Sequence, residues 1–197
     1  MLKPVQNSQF DNGLSNASQC DQFTLMRNYF FLASFFFLLL TSLPVWAAQI
    51  TVFKAKRILE YKADGVTRTF KIGLGSSPTG RKLRQGDRKT PEGSYVITHK
   101  NPQSQFYLSL GISYPNLDDA ALGRKSGVIS AAQYAAIAAA IRQGRTPSQH
   151  TPMGGDVFIH GKGAGSDWTW GCIALDDKEM RMLYDLVRPG DKISIRP

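Results

Sequence analysis

"DVFIHGKGAGSDWTWGCIAL", residues Asp156 to Leu175, joins two short apolar runs through a glycine-rich connection. The first run lies in "GGDVFIHG" (Gly154 to Gly161), reads as a buried strand between glycines, and ends at His160. The second, Ile173 to Leu175, reads as a strand entering a core, with Cys172 at its head. The segment between them is short and rich in glycine, so it can return the chain beside the strand it has just left. That places an imidazole and a thiol, twelve positions apart in sequence, within reach of one site.

Outward from this stretch the pattern is mostly β. Gln49 to Gly75 is rich in β-branched and aromatic residues and carries the hairpin turn signal Asp64-Gly65, which predicts two or three strands. Pro78, Gly80, Gly86, Pro91 and Gly93 then break the chain into loops before a strand over Ser94 to His99. A helix is expected from Ser130 to Gln143, with Ser130 as N-cap, Gln133 three residues on and Gly144 beyond its end. A second is expected after Asp176 as N-cap, with Glu179 three later and Met180, Leu183, Tyr184 and Val187 on one face. Pro189-Gly190 stops it, and "KISIR" supplies a final alternating strand. The expectation is a single, mainly β domain with a few helices, spanning 48–197.

The totals bound the function classes. Twenty-four Lys and Arg against 15 Asp and Glu give a net charge of +9, which favours an anionic partner: nucleic acid, a membrane surface or a wall polymer. Compartment narrows that choice. Tyr29 to Leu43 is a run of fifteen uncharged residues after Arg27, with Val45 and Ala47 as small residues before a cleavage point. This reads as a signal peptide region over 1–47, cleaved after Ala47; an uncleaved anchor is the alternative, although the run falls short of the roughly 20 residues that span a bilayer. Residues 1–25 make a poor signal start, whereas Met26 begins a compact one, and the expected start is Met26. Either way the chain is exported to the periplasm or cell envelope, which argues against a nucleic-acid partner and leaves membrane contact only through an uncleaved signal.

Cys20 lies before the apolar run, so export leaves Cys172 without an intramolecular partner: a reactive thiol, an intermolecular disulfide or an inert buried side chain. A cysteine nucleophile needs a base and donors for the oxyanion. Of the three histidines, His160 stands at a strand end facing loops and is the candidate base, while His99 and His150 read as structural. The Gly171 and Cys172 amides are the candidate oxyanion donors. Asp156, His160 and Cys172 could each bind a metal, but the paired short spacings of zinc sites are missing, so no metal and no cofactor is expected.

These residues resemble the YkuD-type L,D-transpeptidases. The likeness lies in "IHG" (Ile159 to Gly161) followed by "DWTWGCIAL", in "GDRKTPEGSY" (Gly86 to Tyr95), and in the flanking "LGSSPTGRK" and "GISYPN", and it covers Gln49 to Pro197. The resemblance implies a β-sandwich or barrel catalytic domain acting on peptidoglycan stem peptides. It implies Cys172 as nucleophile, His160 as base and the Gly161 carbonyl as the group orienting the imidazole. The implied cycle passes through a thioester at the L-centre of meso-diaminopimelate in a tetrapeptide stem. An amine acceptor, which could belong to a second stem or a wall-anchored lipoprotein, then resolves it by transfer, or water resolves it by hydrolysis. Among the matching segments, Trp170, Arg88 and Tyr114 are the candidates for substrate contact, and the basic loop with Arg81, Lys82, Arg84 and Arg88 suits carboxylates. The chain departs from many members in carrying Trp170 before Gly171, Ala174 two residues after the cysteine, and a shorter connection from His160 to Cys172. Those departures leave open transfer, a same-site hydrolase that trims or detaches wall-linked peptides, and a noncatalytic wall-binding domain.

Overall fold

The computed structural model describes residues 48–197; the expected signal segment, the Met26 start and Cys20 lie outside the described residues. Eight strands and three helices follow in the order β1 (Gln49–Phe53), β2 (Ile58–Ala63), β3 (Val66–Lys71), β4 (Gly93–Ser104), β5 (Tyr107–Ile112), α1 (Leu117–Lys125), α2 (Ala131–Arg142), β6 (Phe158–His160), β7 (Ile173–Ala174), α3 (Asp177–Leu186) and β8 (Lys192–Arg196). The strands form one sheet in the order β3-β2-β1-β8-β4-β5-β6-β7. Alternation puts Ile50, Val52, Leu59, Ile193 and Ile195 inside, where they meet Tyr95, Ile97, Leu110 and Ile159 in one core. The expected turn at Asp64-Gly65 joins β2 to β3 in register, Ala63 opposite Val66.

β4 couples the two halves of the sheet. Its first residues, Gly93 to Val96, pair with β8, and from Ile97 onward it pairs with β5 through two register shifts. Such irregularities bend a strand and increase its twist. The far edges then meet: the chain leaving β3 forms an antiparallel bridge between Gly73 and Ala174 of β7, with N–H to O distances of 2.9 Å in both directions. Thr169 N–H donates to Leu74 O at 3.1 Å beside it. The curled sheet is therefore sealed along a seam. A Cβ at Gly73 would stand 2.3 Å from Ser166 O, so this crossing admits only glycine.

The loops between β3 and β4 are held from within. Lys54, 2% exposed at the end of β1, donates to Gly80 O, Thr90 O and Glu92 Oε1 at 2.7 to 3.0 Å. Asp87 accepts from the amides of Leu83, Arg84 and Lys89 and from Lys82 Nζ. Burial works against the Asp87 charge, but those donors outweigh it and hold its carboxyl below the usual range.

Two helical features differ from the sequence reading. α1 was not expected, although Asn116 and Asp119 form a complete capping box at its start. At α3, Asp176 stands at the N-cap position but its side chain caps nothing there: it accepts from Ala164 N–H at 2.9 Å, and Asp177 accepts from Lys162 N–H at 2.7 Å. The helix start thus anchors the connection that follows His160. Glu179, freed from the box, has one buried carboxylate oxygen without a partner among the described residues.

Candidate active site

β6 and β7 run parallel, Ile159 opposite Ile173 and His160 opposite Ala174. Because side chains alternate, that register puts Phe158 and His160 on the same face as Cys172, which immediately precedes β7. Phe158 N–H points at Cys172 Sγ, 3.4 Å away, and Asp156 O lies 3.6 Å from the sulfur. His160 and Cys172 line one cavity of about 440 Å³, together with Phe106, Phe158 and the polar arm Asn101 to Gln105. Cys172 also lines a second cavity of about 560 Å³ with Lys82, Gln149, His150, Asp156 and Trp170. The thiol is half-buried and opens on both.

The imidazole is fixed in tautomer and in place. His160 is 3% exposed, and its Nδ1 lies 2.7 Å from Gly161 O. A carbonyl can only accept, so Nδ1 carries the proton and Nε2 keeps its lone pair. Phe106 stacks on the ring at 4.8 Å between centroids, and Trp168 meets it edge-on at 5.6 Å. Phe106 belongs to the β4–β5 hairpin tip, and its own carbonyl accepts the Gly161 N–H at 3.0 Å, so one turn supplies both the ring and the backbone anchor. Burial lowers the His160 pKa below its ordinary value, with the Gly161 carbonyl pulling the other way. Burial likewise raises the Cys172 thiol; the Phe158 amide opposes this, Asp156 adds to it, and Lys82 lowers it. Burial therefore favours the neutral thiol and the neutral imidazole over their charged forms.

The connection that carries Cys172 is tied at three points. Arg57 grips Asp167 through Nε and Nη2, and Asp167 Oδ1 also accepts the Leu74 N–H at 2.9 Å. Trp168 Nε1 donates to Gly163 O at 3.0 Å. The buried Thr169 hydroxyl donates to Cys172 O at 2.7 Å and accepts the Gly171 N–H at 3.1 Å. Gly171 adopts φ 128°, and a Cβ there would stand 2.8 Å from Lys89 O.

The other sequence candidates separate. Cys172, His160 and Gly161 come together; of the two candidate oxyanion donors, the Gly171 amide is already engaged by Thr169, which leaves the Cys172 amide. Trp170 is 75% exposed at the rim of the larger cavity, with the Arg88 guanidinium 5.3 Å from its ring centroid. Tyr114 is fully buried in the core, its hydroxyl turned to Met153 O, so the expectation of substrate contact there is corrected. Arg81 is spent on the buried Asp119, whose other oxygen takes the Tyr95 hydroxyl. His150, read as structural, is exposed and lines the larger cavity. Phe106 and Asp167 escaped the sequence reading because their partners, His160 for one and Arg57 and Leu74 for the other, are distant in sequence; Thr169 escaped it although its partners Gly171 and Cys172 lie within three residues.

A sequence model of the L,D-transpeptidase catalytic domain, YkuD, matches residues 47–195. A protein of Escherichia coli strain K12, provisionally named L,D-transpeptidase YafK, is 37% identical over 81 residues, covering 38% of this chain and 33% of its own. The helical cell shape determining protein Pgp2 of Campylobacter jejuni is similar in structure at a TM-score of 0.50 and 26% identity, over 76% of this chain and 47% of that one. The chain thus spans about a third and about half of these two relatives. With a match running from before β1 to within β8, the chain belongs to the YkuD family of L,D-transpeptidase catalytic domains.

Proposed function

We propose that the protein is an exported L,D-transpeptidase that acts in the periplasm or cell envelope on peptidoglycan tetrapeptide stems through a Cys172 thioester. The observation that carries this reading is the His160 ring: its Nδ1–H is committed to Gly161 O, which leaves Nε2 as the basic nitrogen, and His160 lines one cavity with Cys172. In the first half-reaction the Cys172 proton passes to His160 Nε2 as the S–C bond forms at the carbonyl of the diaminopimelate L-centre. The oxyanion is met by the Cys172 amide. Collapse breaks the C–N bond, and D-Ala leaves with the proton from Nε2. In the second half, an acceptor amine attacks the thioester and gives its proton to Nε2; the S–C bond then breaks and that proton returns to Cys172 Sγ, restoring thiol and imidazole. A second stem peptide would make a cross-link, and a wall-anchored lipoprotein would make an attachment; water would give hydrolysis by the same steps.

Two measurements test this. Incubating the protein with a carbapenem should add one adduct mass at Cys172, lost in Cys172→Ala. Digestion of tetrapeptide muropeptides should give cross-linked dimers with loss of D-Ala. Shortened monomers alone would replace transfer by hydrolysis. The lack of both the adduct and any change in the muropeptides would overturn an enzymatic role.

A further inference from the structure

The two cavities that meet at Cys172 differ in charge, and the position of His160 sets which part of the substrate each receives. The following rests on the acyl-transfer reading above. The departing amine takes its proton from Nε2 and the entering amine returns one to it, so both occupy the cavity that His160 lines. The acyl residue must then extend into the larger cavity. Among the residues lining that cavity, Lys82 is the one Lys or Arg.

Lys82 is 4% exposed and rigidly held, its Nζ donating to Arg84 O at 3.1 Å and to Asp87 Oδ1 at 3.0 Å. An ammonium has three donors, so these two bonds leave one, with the Tyr114 ring centroid 5.9 Å from Nζ as a further neighbour that accepts no conventional hydrogen bond. The Asp87 carboxylate does not belong to Lys82 alone, since three loop amides share it. Lys82 also lies within electrostatic reach of the Cys172 sulfur. Neighbouring cations are placed otherwise: Arg81 pairs with Asp119, and Arg88 stacks over Trp170 outside the cavity wall.

We propose that Lys82 determines donor specificity by binding, through its third N–H, the carboxylate at the D-centre of the diaminopimelate that becomes the acyl group. That is the one carboxylate the residue keeps when its L-centre carbonyl is held by Cys172. A buried, pre-oriented ammonium favours such a group strongly, because neither partner has water to fall back on.

The test is a chemical double-mutant cycle on acyl-enzyme formation, followed by intact mass and by kcat/KM. Donors are a tetrapeptide with the D-centre carboxylate free and the same peptide with it amidated; enzymes are wild type and Lys82→Met. Amidation should cost the wild type about ten- to hundredfold in kcat/KM, the range of a hydrogen bond to a charged group. Lys82→Met should lose about as much on the free donor and be indifferent to amidation. Equal discrimination by both enzymes would overturn the proposal. So would indifference of the wild type alone, which needs no variant to fold. If the wild type forms no acyl-enzyme with either donor, the transpeptidase reading itself fails and the Lys82 assignment falls with it.

Discussion

Thr169→Val keeps the shape of a buried side chain, 3% exposed, and removes only the hydroxyl that organises the turn before Cys172. That hydroxyl bonds both Cys172 O and the Gly171 N–H. Its loss strands a carbonyl and an amide, each costing about 1–3 kcal/mol when left unsatisfied in the interior. Cys172 is only half-buried, so water recovers part of the carbonyl's share, and a net loss of about 3 kcal/mol is expected. For a domain of this size that lowers Tm by about 6–12 °C. Thr169→Ser keeps both hydrogen bonds and loses one methyl, about 0.8 kcal/mol and so about 2–3 °C. The assay is thermal unfolding followed by circular dichroism, paired with the rate of carbapenem acylation. Acylation should fall at least about tenfold in Thr169→Val, since the sulfur is aimed by this turn, and far less in Thr169→Ser. A Thr169→Val protein within about 2 °C of wild type with an undiminished acylation rate would refute the argument.

Burial moves the His160 imidazole and the Cys172 thiol in opposite directions, which on the proposed mechanism shapes the pH profile. The kcat/KM plateau should therefore widen, its acid limb falling below pH 6.5, the ordinary imidazole value, and its alkaline limb above 9.0, the ordinary thiol value; a bell narrower than that interval would contradict the resting state described above. The same lowered imidazole links to stability: the unfolded chain takes up a proton near pH 6.5 that the folded one refuses, so this contribution is complete above pH 6.5 and is lost as pH falls through the folded value, which urea titrations at several pH values will report. Phe106→Ala uncovers the ring of His160 and should raise the acid limb toward pH 6.5 while leaving the alkaline limb in place. Gly73→Ala drives a methyl to 2.3 Å from Ser166 O and should cost about 2–4 kcal/mol with loss of acylation, whereas Gly65→Ala, with open space around it, should leave acylation intact.

What could be read in the sequence was what short-range chemistry determines. Asp64-Gly65 turns β2 into β3, and Ser130 with Gln133 caps α2 as expected, because in both places the partners lie within three residues of one another. Asp176 and Glu179 have the same local pattern at α3, yet the amide of Ala164 claims the carboxylate first. The start of α1 lies in the same kind of local pattern, Asn116 with Asp119, set among proline and loop residues that mask it. Tyr114 was misplaced because a matching segment says which residues travel together, not which way a ring turns. His160 and Cys172 were readable since the glycine-rich return constrains them; Phe106 joins the site through strand order, which leaves no periodic trace, Lys82 was legible as a cation of the basic loop but not as part of a cavity wall, and Thr169, three residues from Cys172, carries no pattern that tells a hydroxyl bonded to the turn from one in solvent.

The seam between Gly73 and Ala174 bears on the order of events during folding. Its two sides stand about a hundred positions apart, among the dearest loops for this chain to close, so the bridge belongs to the late, non-local part of assembly. Cys172 stands two residues from that bridge. Until it forms, nothing fixes the connection that carries Cys172 against the chain leaving β3, and after it forms that connection is held at Gly73 and Leu74 with Cys172 where the two cavities meet. Acylation by a carbapenem during refolding is thus a clock for closure, and it should begin only when the last slow phase of the fold is complete.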